Sequence, residues 1–122
     1  MPFRNTRDHL LDIQQSIALI GEFVGTMSFD DYLRDVKTRS AVERQLQILT
    51  EAAIRLGEEA PKLCPNIDWA GFRAMGNILR HVYHRVDDQI VWDTIQHELP
   101  AMATAIGVAL RDSANAQPDT SI

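Results

Sequence analysis

Apolar residues return every three or four positions through most of the chain. Over 5–26, Leu10, Ile13, Ile17, Ile20 and Val24 form one stripe, which predicts an amphipathic helix because side chains three and four apart share a face. Asn5 and Asp8 at its head have the spacing of a capping box, with Asp in place of the usual Glu or Gln. Ser28 reads as a second cap, ahead of a short helical segment or turn over 29–34. The rhythm resumes in Val42, Leu46, Leu49, Ala53, Leu56 and Ala60, predicting one long helix over 36–60 that Pro61 and Pro65 stop.

Asp68 reads as the cap of the next helix, whose stripe of Trp69, Phe72, Met75 and Leu79 runs toward Tyr83. A break is expected near 85–87, after which Ile90, Val91, Ile95 and Leu99 mark another helix. Pro100 either kinks that helix or opens a new helical turn as its first residue. Residues 101–111 read as helical again, and from Ser113 the chain turns polar without a stripe. No segment alternates with period 2 between turn residues, and no internal repeat is present. The expected fold class is all-α: an up-and-down bundle of four to five helices over 1–112, followed by a flexible polar tail over 113–122. Long amphipathic helices in so short a chain leave apolar surface for a second copy, so a symmetric dimer is expected.

Composition narrows this picture. With 122 residues, 45% hydrophobic and 24% charged, the chain suits one globular domain, and general disorder is excluded. No apolar run approaches the roughly 18 residues that cross a bilayer, and the charged first residues do not resemble a signal peptide, so a cytoplasmic location without membrane contact is expected. The net charge of −5 argues against polyanion binding over the whole surface. Any nucleic-acid site must be local. The single cysteine, Cys64, cannot form an internal disulfide; between Leu63 and Pro65 it reads as a small buried hydrophobe, with a reactive thiol as the alternative.

One segment stands apart from this acidic background. Residues 71–86 contain Arg73, Arg80 and Arg85, no Asp or Glu, and two histidines, His81 and His84, for a formal charge of +3. On a helix, Asn77, His81, His84 and Arg85 share a face, and an amide, two imidazoles and a guanidinium together can grip a phosphate and move a proton near neutral pH. The same spacing also describes a solvated helix face, with Arg80 and Arg85 paired to Asp87, Asp88 or Glu98 and Tyr83 half-buried as a packing residue. His81 and His84 lack a carboxylate or thiol at ligand spacing, so neither a metal nor any other cofactor is expected. Asp30 and Asp31 follow a cap and suit the positive end of a helix dipole better than acid catalysis. No Gly-rich phosphate loop or nucleophile elbow appears.

The order of residues adds what periodicity does not. The run Met75-Gly76-Asn77-Ile78-Leu79-Arg80-His81-Val82-Tyr83, then Val86-Asp87, Ile90-Val91-Trp92 and Glu98-Leu99-Pro100, resembles the carboxyl half of HepT-like proteins of the HEPN superfamily. Upstream, Lys37-Thr38-Arg39-Ser40-Ala41-Val42-Glu43-Arg44 and Glu51-Ala52-Ala53 are similar to a second block of the same family, and the likeness covers residues 7–102. The resemblance implies a helical homodimer, or a higher assembly, whose basic motifs face each other across a cleft. It implies a metal-independent RNase, the toxin of a prokaryotic toxin–antitoxin pair, acting on RNA with tRNA among the candidates. The implied partner is a minimal nucleotidyltransferase antitoxin that silences the toxin by attaching AMP to a tyrosine. Carried over by position, the catalytic histidine is His81, the modified tyrosine is Tyr83, and Asn77 is the polar residue that follows the family arginine.

The chain departs from the signature at one position. The family has Arg five residues before the His, where this sequence has Gly76. Arg80 is the expected substitute, although adjacent helical residues point about 100° apart and a five-residue step gives about 140°. Arg73, more than two turns upstream, is the weaker candidate. In the resulting scheme His81 moves the proton, Arg80 stabilises charge on the phosphate, and Asn77, His84 and Arg85 position the substrate. The rival that Gly76 favours is a weakened or inactive helical module that binds a nucleotide, an RNA or the transferase. A purely structural dimerisation bundle, the third reading, would not depend on Arg80 or His81.

Overall fold

Side-chain caps set where the helices begin. The computed structural model describes residues 5–81 and 86–116. The Asn5 side chain accepts from the Asp8 N–H at 2.9 Å and the Asp8 carboxylate accepts from the Asn5 N–H at 3.4 Å, which closes the capping box of α1 (Thr6–Val24). Ser28 and Asp31 repeat the device for α2 (Phe29–Arg34). Asp35 accepts from the Thr38 N–H at 3.0 Å and starts α3 (Val36–Leu56).

The helix expected over 36–60 ends earlier than its stripe. Gly57 adopts φ +56, a conformation that glycine reaches without strain, and terminates α3 there. A short helix, α4 (Glu59–Leu63), follows, and Pro61 lies inside its first turn, where a missing N–H removes no intrahelical bond. Ala60 is nevertheless fully buried, so the apolar rhythm ran across the break. Cys64 is buried too, burial pushes its thiol pKa up, and its carbonyl accepts from the Trp69 indole N–H at 2.9 Å.

Asp68 accepts from the Gly71 N–H at 2.9 Å at the head of α5 (Trp69–His81). Val86 and Asp87 are non-helical, within the expected break, while residue 85 lies outside the described residues. Asp87 caps α6 (Asp88–Asp93), which passes through a π-helical turn (Thr94–Glu98) into α7 (Leu99–Ala116). The helix therefore continues beyond Ser113. Pro100 is the second residue of α7, and the turn before it is widened: the Leu99 N–H reaches back to the Thr94 carbonyl. Val91, Ile95 and Leu99 are spaced by four and four, a drift of about 80° on a regular helix. The wider turn takes back that drift, and all three residues are buried.

Helix α3 is central, packed against α1 on one flank and α5 on another, with α7 against α1. Ile13, Ile20, Val42, Leu46, Leu49, Leu79, Met102 and Ile106 meet in the core with at most 2% of their surface exposed. Each such burial contributes about 1.5–3 kcal/mol. Ile90, expected on the buried stripe, is instead 55% exposed, because α6 turns Val91 inward. Trp92 packs on Tyr32 and Phe29 of α2, at ring-centroid distances of 5.3 and 5.8 Å. Arg39 of α3 holds the start of α6 through Asp88 at 3.5 Å. Among the described residues there is no strand, so the fold is an all-α bundle, and no helix is long and apolar enough to cross a membrane.

Candidate active site at the end of helix α5

The basic motif occupies the last turns of α5. His81 is the final described residue of that helix and is exposed to solvent. Arg80, immediately before it, is partly buried. Its Nη2 donates to the Asn77 Oδ1 at 2.9 Å, so the structure brings together two of the predicted site residues one turn apart. The other guanidinium nitrogen, Nη1, is buried and has no hydrogen-bond partner. A guanidinium nitrogen held there reaches a phosphate oxygen only when the side chain swings off Gly76, and the missing partner leaves little to oppose that movement. Arg73 is also on α5, partly buried, nearer its start. Tyr83, His84 and Arg85 lie outside the described residues, so the face expected to join Asn77, His81, His84 and Arg85 is represented by its first two members.

Gly76 is a packing position. A Cβ placed there would stand 2.5 Å from the Thr50 Oγ1 and 2.7 Å from the Thr50 Cβ, distances at which one partner must move. Thr50 is fully buried and its hydroxyl donates to the Gln47 carbonyl at 3.1 Å. The missing side chain thus lets α5 approach α3 closely. The same hypothetical Cβ would lie 3.1 Å from Arg80 Nη1. The Arg80 side chain folds back over the glycine and brings its charge to the flank where the signature places arginine.

Helix α3 supplies neighbours to which sequence reasoning gave no role. Gln47 Nε2 donates to the Leu79 carbonyl at 3.1 Å, near the end of α5, and Arg44 Nη1 donates to the Gln47 Oε1 at 3.3 Å. Glu51 is paired with Arg55 at 2.7 Å. That hydrogen bond and charge chiefly hold the Glu51 carboxyl below its ordinary range, and the charges of Arg80 and Arg44 add to the effect. The signal was available: Arg44, Gln47, Ile48, Glu51 and Arg55 recur at three and four, marking a second face of α3 opposite its buried stripe. Among the described residues no three His, Cys, Asp or Glu side chains group as metal ligands.

An all-α bundle that carries an exposed histidine beside an arginine with an unspent donor has the makings of a phosphate-handling site. Residues 13–108 match the family described as "Ribonuclease HepT-like", and the chain belongs to that family. A relative from Thermococcus cleftensis, named "Probable ribonuclease HepT", is 36% identical over 99 residues, covering 81% of this chain and 90% of the relative. One from Methanocaldococcus jannaschii, named "Putative RNase MJ0127", is 31% identical over 112 residues, 92% of this chain and 93% of its own. A third, "Putative RNase TTE0752" from Caldanaerobacter subterraneus, is 30% identical over 99 residues, 81% and 88% of the two chains. No solved structure matches the chain.

Proposed function

We propose that this protein is a metal-independent ribonuclease and the toxin of a prokaryotic toxin–antitoxin pair. The observation that carries the reading is the last turn of α5: an exposed His81 follows Arg80, whose buried Nη1 is unpartnered. His81 takes the proton from a ribose 2′-hydroxyl, the oxygen attacks the adjacent phosphorus, and the P–O5′ bond breaks to leave a 2′,3′-cyclic phosphate and a 5′-oxygen that takes a proton from water. Arg80, swung off Gly76 by the incoming phosphate, donates through Nη1 to the non-bridging oxygens as charge builds on them. Asn77 fixes the guanidinium, and His84 and Arg85 add contacts to the RNA backbone.

The working unit in this reading is a homodimer with the two motifs facing a shared cleft. Its support is apolar surface beside the site: Ile78 and Ile90 are 44% and 55% exposed, and an apolar hollow between α5 and α6 adjoins both. A minimal nucleotidyltransferase antitoxin silences the toxin by transferring AMP from ATP to the hydroxyl of Tyr83, with pyrophosphate leaving. Family membership and the ribonuclease names of the relatives support the overall reading.

Incubation of the purified protein with RNA tests it. Cleavage is expected from the parent and is expected to vanish in His81→Ala with the circular dichroism spectrum unchanged; equal cleavage by that variant overturns the assignment. A second reading, a binding module of low or no activity, draws on Gly76, which removes the signature arginine and seats α3 in its place. It expects RNA binding without cleavage.

A further inference from the structure

A polar cleft of about 270 Å³ lies between α1 and α3, lined by His9, Asp12, Arg44, Ile48, Glu51 and Arg55. His9 is only 8% exposed, and its Nδ1 has no hydrogen-bond partner. A buried ring nitrogen in that condition carries a desolvation penalty that a ligand supplying the missing partner relieves. The cleft holds two carboxylates as well as two guanidinium groups, so a bare phosphate is poorly matched to it. What suits a carboxylate and a guanidinium over an aliphatic floor is a flat group with donors on one edge and acceptors on the next.

Guanine has both. Its N1–H and amino group donate to a carboxylate, while O6 and N7 accept from an arginine, and unpaired RNA bases are commonly read on these edges. Position also favours RNA. Gln47 bonds to Leu79 and Thr50 faces Gly76, so α3 and α5 run in opposite directions, and Arg44 is level with the end of α5 that bears His81. Arg44 is joined to that end through Gln47.

We propose that the α1–α3 cleft seats a guanine base of single-stranded RNA next to the scissile phosphate at His81, with Glu51 reading its Watson–Crick edge, Arg44 its O6 and N7, and His9 completing the contact. The cleft then selects where the strand is cut. The inference rests on the ribonuclease reading for the cut, though not for the binding.

Anisotropy with labelled oligoribonucleotides, one containing guanine and one of uridine alone, is measured on the full chain in the His81→Ala background. Cleavage positions are mapped with the His81 protein. The parent is expected to bind the guanine strand about tenfold more tightly, and Arg44→Gln or Glu51→Gln should each bring that ratio near one and scatter the cleavage positions. A ratio near one in the parent, or a ratio that survives both substitutions, overturns the proposal. So does a change in particle mass for Arg44→Gln by sedimentation, which would make the cleft an interface between copies. A guanine preference that depends on Arg44, in a parent that cuts nothing, supports the base site while refuting the nuclease reading.

Discussion

The guanidinium of Arg80 lies over Gly76, its Nη1 3.1 Å from where a Cβ on that glycine would stand. The two residues are therefore coupled: the absence of one side chain makes room for the other. Arg80→Ala is expected to lower single-turnover RNA cleavage by about 10²–10³-fold, the usual effect of removing one preorganised donor, with the fold retained. Cleavage within twofold of the parent would remove Arg80 from the mechanism.

Restoring the signature arginine alone should fail for a steric reason. Gly76→Arg drives its Cβ into Thr50, and overpacking of this kind costs about 1–3 kcal/mol. Thr50→Gly removes both atoms in the way. The double variant Thr50→Gly/Gly76→Arg should therefore be more stable than Gly76→Arg in urea unfolding, even though Thr50→Gly by itself destabilises the parent. Additive effects of the two changes would mean that the contact between them is immaterial.

Stability should respond to pH through Glu43. Its carboxyl is raised by burial first and by the charge of Asp88 second. An ionised Glu43 therefore weakens the fold above its folded pKa, and the penalty disappears as pH falls through that value. Asp31 and Asp35 act in the opposite sense: hydrogen bonds from the helix starts they serve lower both carboxyls, so their contribution is present above the ordinary carboxylate range and is lost as pH falls through their folded pKa values. Glu43→Gln should raise Tm at about pH 7 and lose its advantage near about pH 4. The advantage should also shrink in an Asp88→Asn background. An equal effect of Glu43→Gln at both pH values would contradict this account.

The Tyr32 hydroxyl is buried and unpartnered, and burial raises its pKa, with Asp88 and Glu43 adding to the shift. Tyr32→Phe keeps the ring against Trp92 and deletes only the stranded oxygen. Chemical denaturation should show a gain of about 1 kcal/mol. A loss of similar size would mean that the hydroxyl has a partner in solution.

Much of the bundle was legible because capping and periodicity are local. Asn5, Ser28 and Asp68 each act within three residues, and the stripes of α1 and α3 carry their own phase. The turn at Gly57 is hidden in the sequence because Ala60 keeps the rhythm going after the backbone has turned, and the exposure of Ile90 is hidden because two adjacent apolar residues leave the inward one undetermined. The site was legible along one helix only. His81 and Arg80 could be named from the order of residues, whereas the contact of Gly76 with Thr50 joins positions that only the packing of two helices brings together. The role of Arg80 as occupant of that space could not be read from angles on a single helix, because its side chain folds back along the axis.

The π turn ahead of Pro100 gives the chain a spare residue. Loss of one position between Thr94 and Glu98 would tighten the turn to ordinary helix and shorten the step from Ile95 to Leu99, leaving Met102 and Ile106 still directed inward. A deletion that would scramble the interior elsewhere in a long helix is absorbed here, so this short stretch is where the protein can change length while keeping its centre intact.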